Sequence, residues 1–184
     1  MAITLLVWLI LALVLSLTGT LHALPVRMPI LAALLTGVVL IVVALSASAR
    51  SRALAGGPRP LVAFHLTRFV GFYFLWLYHL GVLARNFAVP AGWGDVIIAA
   101  WAVALLLIRD WTSREMRLAV LLWNAFGLFD ILLVVALAAR QAAADPGFQN
   151  GFASLPLSLL PTFIVPLVIA SHALLFVWLG RKRV

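Results

Sequence analysis

The sequence predicts an all-α polytopic membrane protein, a bundle of six transmembrane helices. Three observations carry that expectation. Of 184 residues, 66% are hydrophobic and 10% charged, whereas a soluble domain carries about a quarter charged residues. The apolar residues gather in six runs, and a helix needs about 20 of them to cross a hydrocarbon layer roughly 30 Å thick. The runs are too long for strands and lack period-two alternation. An ordinary soluble enzyme, a disordered tail and a nucleic-acid-binding module are thereby excluded, and length favours a single transmembrane domain over 1–184.

The first run, about residues 3–24, has no Lys or Arg before Arg27. It lacks the basic start of a signal peptide and is too long for its apolar core, so it reads as a retained first helix. The second run is 29–47 and the third 61–84. The fourth, 95–108, is short. The fifth is 117–139 and the sixth 155–180. Between the second and third, Gly56-Gly57-Pro58 punctuates a flexible inner linker, 46–60, whose arginines are expected on anionic lipid. Pro90, Trp93 and Asp95 fall in an irregular outer loop, FAVPAGWGD, with Asp95 expected to cap the fourth helix. The polar stretch 140–153 reads as another outer loop.

Charge gives the orientation. With the N-terminus inside, the inner loops hold Arg50, Arg52, Arg59, Arg109, Arg114, Arg117, Arg181, Lys182 and Arg183, and the outer loops hold Arg27, Arg85 and Arg140. Nine against three places both termini in the cytoplasm by the positive-inside rule. This distribution accounts for the net charge of +8 without a nucleic-acid partner. Trp93, Trp111 and Trp178 fall near expected interfaces. With no cysteine, thiolate catalysis, iron–sulfur clusters and thiolate zinc sites are excluded.

Intramembrane charge is costly, so it carries the functional information. Two charged side chains are expected deep in the bilayer, Arg68 in the third span and Asp130 in the fifth, and mutual pairing is the economical arrangement. At about 100° per residue, His65, Arg68, Phe72, Trp76 and His79 share one face, expected to point inward. On the fifth span Trp123 and Asp130 are seven apart and so nearly stacked, with Asn124 on a flank and Gly127 between them permitting close helix approach. His172 lies at a depth comparable to Arg68 and Asn124. Pro156, Pro161 and Pro166 break the sixth span and free carbonyls near Leu157 and Thr162.

The combination of Arg68 with Gly71, FAVPAGWGD (87–95), WNAFGLFD (123–130), Pro161 with Pro166, and His172 resembles a family of small uncharacterised bacterial polytopic inner-membrane proteins. The resemblance spans about 61–180; His65, His79 and the first two spans lie outside it. It implies a multi-pass fold in the bacterial inner (cytoplasmic) membrane and carries no catalytic role.

Four functions follow from these residues. The first is a small-solute or ion-binding protein, transporter-like or accessory, built on Arg68, Asp130, Asn124, Trp123 and His172. The second is a structural or assembly subunit of a membrane complex, or a homo-oligomer. The third is a b-type di-haem cytochrome, His65 with His172 and His22 with His79 as ligand pairs. The fourth, a metal hydrolase, lacks a ligand motif such as HExxH. The reading is of a non-enzyme with no cofactor, with lipid, including anionic lipid at the cytoplasmic face, as its surroundings.

Overall fold

A computed structural model describes residues 2–180; Arg181, Lys182 and Arg183, three of the nine inner basic residues, lie outside the described residues. The chain is helical throughout, with no strand among the described residues. Five helical stretches are long and apolar enough to cross a membrane: Met28–Leu45, Pro58–His79, Arg85–Leu107, Arg114–Ala144 and Leu160–Gly180. Ala2–Leu17 is a shorter apolar helix. Large apolar side chains face outward all along these helices, Leu34 and Phe126 at 58% exposure and Phe129 at 68% among them. A water-soluble surface does not tolerate such a run.

The chain forms two compact units. One comprises 2–52 with Val135–Ala170, the other Ala53–Val134 with 171–180.

In the first unit, α1 (Ala2–Leu17) and α2 (Thr20–Ala23) are separated at Gly19, whose φ of 70° only glycine adopts freely. The expected continuous span 3–24 is therefore broken. α3 (Met28–Leu45) starts with Pro29 in its first turn, where the missing N–H is harmless. The Arg50 guanidinium donates to Val43 O and Ala44 O, both at 2.9 Å, and so satisfies the last carbonyls of α3. Arg50 thus has an internal role in addition to any lipid contact, and its segment is helical (α4, Ala47–Leu54), not a flexible linker. The stretch 140–153 is likewise helical. α8, defined below, runs to Ala144, and α9 (Pro146–Phe152) follows, capped by Asp145 accepting from Gly147 N at 2.8 Å. The Pro161 region forms a π turn, Leu160–Ile164, in which Val165 N reaches back to Leu160 O. Leu160 N occupies the Leu157 carbonyl freed by Pro161, at 3.0 Å. Ser16 Oγ and Ser158 Oγ share a hydrogen bond of 2.8 Å, and Thr162 Oγ1 donates to Ser158 O.

The second unit holds α5 (Pro58–Phe64), a 3₁₀ turn (His65–Phe69), α6 (Val70–His79), α7 (Arg85–Leu107), the first part of α8 (Arg114–Ala144) and the end of α10 (Val165–Gly180). The α5–α6 stretch buries every third residue: Val62, His65, Arg68, Gly71, Phe74 and Leu77. A 3₁₀ turn has three residues per turn, so i and i+3 stay in line. That geometry overturns the expected inward face. Phe72 and Trp76 are each 54% exposed, and His79 is exposed too. Gly81, at φ 74°, ends α6 and turns the chain into α7.

α7 is the largest departure from expectation. It begins at Arg85 and runs 23 residues, so the fourth span includes FAVPAGWGD instead of following it. Pro90 is accommodated inside the helix, as membrane helices permit. Pro90, Trp93 and Asp95 are therefore not an outer loop, and Asp95 caps nothing; it is buried in mid-helix. Around Trp123, which is fully buried and donates to Ile98 O at 3.0 Å, pack Val62, Ile98, Val120 and Leu175. At the rim of this core, Arg59 donates to Leu106 O at 2.8 Å and lies over the Trp111 ring, while Arg117 donates to Leu179 O and lies over Trp178. These arginines cap the C-terminal carbonyls of α7 and α10.

Candidate functional site

Burying a guanidinium among apolar helices requires an acceptor for each of its faces. The 3₁₀ turn points Arg68 inward, where its side chain is 2% exposed. Nε donates to Asp95 Oδ1 at 2.6 Å, Nη2 to Asp130 Oδ2, and Nη1 to Gly127 O at 3.0 Å. Asp95 comes from α7, and Asp130 and Gly127 from α8. The expected Arg68–Asp130 pair is present, and Asp95 joins it as a second carboxylate. The Asp95 side chain is 5% exposed and that of Asp130 16%.

Glycines allow this convergence. A Cβ on Gly71 would run into Gly92 O and come within 2.9 Å of Asp95 Cβ; one on Gly94 would collide with the Asp130 carboxylate. A Cβ on Gly127 would lie 2.7 Å from His172 Cε1 and 3.2 Å from Nε2. The glycines at 71, 92, 94 and 127 are therefore sites of close backbone approach, as small residues are in membrane helix packing.

Next to the ion cluster sit two fully buried histidines. His172 Nδ1 is 2.8 Å from Asn124 Oδ1, and Asn124 Nδ2 donates to His172 O at 3.1 Å. His65 Nε2 is 2.8 Å from Ser171 Oγ. The two imidazoles touch, with centroids 4.3 Å apart, and Trp123 packs edge-on against His65 at 4.8 Å. His65 Nδ1 and His172 Nε2 have no hydrogen-bond partner.

Arg68, Asp130, Asn124, Trp123 and His172 are thus brought together, with His65 and Asp95 added. Trp93 is half exposed and stands apart, and Pro90 serves the helix. His79 is exposed and outside the cluster. His22 lies in the first unit, 3.2 Å from Ser154 Oγ. The His65–His172 haem pairing does not fit: trans ligands lie on opposite sides of a porphyrin with a metal–nitrogen bond of about 2 Å on each side, whereas these rings are in direct contact. Among the described residues no three His, Asp or Glu side chains form a metal-ligand set.

From the sequence, Asp95 reads as a helix cap and not as a partner of Arg68, and Gly71, Gly92 and Gly94 are given no part in close packing. The signal was available in the deficit of the fourth run, 14 residues where about 20 are required: extending it backwards puts Asp95 in mid-helix.

Comparison with known proteins found no match among curated proteins and none among solved structures. A family model described as "Domain of unknown function (DUF8737)" matches residues 25–180, which include the entire Arg68–Asp95–Asp130 cluster and both buried histidines. The chain belongs to this family.

Proposed function

We propose that the chain is a multi-pass integral membrane protein that binds a small cation in its polar core, in a transporter-like or accessory role. The observation that carries this reading is the shared guanidinium. Asp95 and Asp130 have one Arg68 between them, so the fully ionised cluster has a formal charge of −1 in surroundings that penalise uncompensated charge. A small cation corrects the deficit, and Asp130, the more accessible carboxylate, is where it enters. Nε, Nη1 and Nη2 of Arg68 each already have a protein acceptor, and the two carboxylates around the guanidinium disfavour an anionic solute there.

Six crossings with cytoplasmic termini are part of the same reading, 2–23 being taken as the sixth. It is supported by the inner-loop excess of arginine, six to three even without the residues beyond 180. The resemblance described above favours the bacterial inner membrane, and the exposed inner arginines suit anionic lipid.

The engagement of all three Arg68 nitrogens by protein acceptors also favours a second reading, in which the cluster only pins α5–α6, α7 and α8 together in an assembly subunit or homo-oligomer. Thermal unfolding of the detergent-purified protein separates the two. Binding to the native state raises the midpoint, so Na⁺, K⁺, Li⁺ or a lower pH is expected to raise it above a choline chloride control, and Asp130→Asn to abolish the effect. A wild-type midpoint indifferent to every cation and to pH would leave only the pinning role.

A further inference from the structure

We propose that the cation is the proton, and that His172 and His65 form its buried acceptor site beside the Arg68 cluster. This rests on the cation-binding reading above and names the cation.

The tautomer of His172 follows from its partners. Asn124 Nδ2 donates to the His172 carbonyl, which orients the amide; the reverse orientation would set two acceptors against each other. Asn124 Oδ1 therefore faces His172 Nδ1, and an amide oxygen only accepts. Nδ1 carries the hydrogen, and Nε2 is left with a lone pair. That lone pair is buried without a partner, a condition that in native proteins calls for an explanation such as a functional role or a bound water or ion. It lies beside Gly127, the residue whose carbonyl accepts from Arg68 Nη1 at 3.0 Å. Across the ring contact, His65 Nδ1 is likewise buried and unpartnered. Two imidazoles each held at one nitrogen, with the other bare, form a site for a species with no bulk of its own.

Charge selects the proton. The charged group beside the pair is Arg68 from the 3₁₀ turn, which is shared by Asp95 from α7 and Asp130 from α8, so that the neighbouring cluster sums to −1 when ionised; the imidazoles themselves come from the 3₁₀ turn and α10. One proton brings the set to zero. It binds the Nε2 lone pair of His172, making an imidazolium that keeps its Nδ1–H bond to Asn124. It leaves to the base across the ring contact, His65. No other bond changes.

Side-chain ¹⁵N NMR of the full chain in lipid nanodiscs, from pH 8 to pH 4, tests this on the unaltered protein. Near pH 8, His172 is expected as the Nδ1–H tautomer. On acidification, one imidazolium equivalent per chain is expected over His65 and His172 together, and Asp130→Asn is expected to reduce it at least tenfold at a given pH. In vesicles with an entrapped pH dye, wild type is expected to dissipate a proton gradient faster than empty vesicles, and His172→Gln and His65→Gln to slow that at least tenfold. Two neutral imidazoles throughout the range, in a protein that remains folded, would overturn the proposal. If Na⁺, K⁺ or Li⁺ still raises the melting midpoint in that case, the cation-binding reading survives with a different ion; if none does, both fail. His172→Gln vesicles that pass protons at the wild-type rate would also overturn it.

Discussion

Arg68→Met is expected to destabilise the protein by about 3–5 kcal/mol, the usual consequence of removing one partner from a buried ion pair. The substitution keeps the apolar stem out to the position of Nε and removes the rest of the guanidinium. What changes is that Asp95 and Asp130, both drawn toward the guanidinium, face each other without a cation, and Gly127 O loses its 3.0 Å donor. Equilibrium unfolding in mild detergent measures the loss. Arg68→Lys is expected to recover only part of it. A lysine ammonium is a point charge without the planar fork, and here the three acceptors come from two helices and are met by three different nitrogens.

Gly71→Ala is expected to cost about 1–3 kcal/mol, the range for overpacking, toward its upper end. The new methyl would strike Gly92 O, and a backbone carbonyl cannot rotate away as a side chain can; Asp95 Cβ at 2.9 Å and Val96 Cγ2 at 3.1 Å block the remaining directions. α6 and α7 must separate, which also stretches the Arg68–Asp95 bond. Gly37→Ala in α3 is the control, because nothing lies within 4 Å of its added Cβ. In a helix interior that change is expected to be neutral or to stabilise by up to about 1 kcal/mol. Similar losses at both positions would contradict a close α6–α7 crossing.

The helical, membrane-compatible character of the chain was legible because it depends on long apolar runs, a property that any window of sequence exposes. The Arg68–Asp130 pair was legible for the same reason: two charges within such runs have few alternatives to meeting. Local rules drawn from soluble proteins failed within the long apolar helices. Pro90, Gly92 and Gly94 are turn-formers in water, but in α7 they belong to a helix long and apolar enough to cross a membrane, a type of helix that tolerates proline and uses glycine for close packing. Asp95 was consequently read as a cap. The inward face of the third span was misjudged at Phe72 and Trp76 because a constant 100° per residue does not hold through the 3₁₀ turn at His65–Phe69. The contact of His65 with His172 joins residues 107 apart in sequence, and no spacing rule reaches that far.

Pairing of Arg68 with both carboxylates is tested most directly by adding back what its removal should require. Unfolding of Arg68→Met is compared with that of the triple variant Arg68→Met, Asp95→Asn, Asp130→Asn. Removing the stranded charges leaves neutral amides, so pairing predicts that the triple variant regains more than half of the stability lost in the single one. A triple variant no more stable than Arg68→Met, with the three losses simply adding, would mean that these charges do not meet.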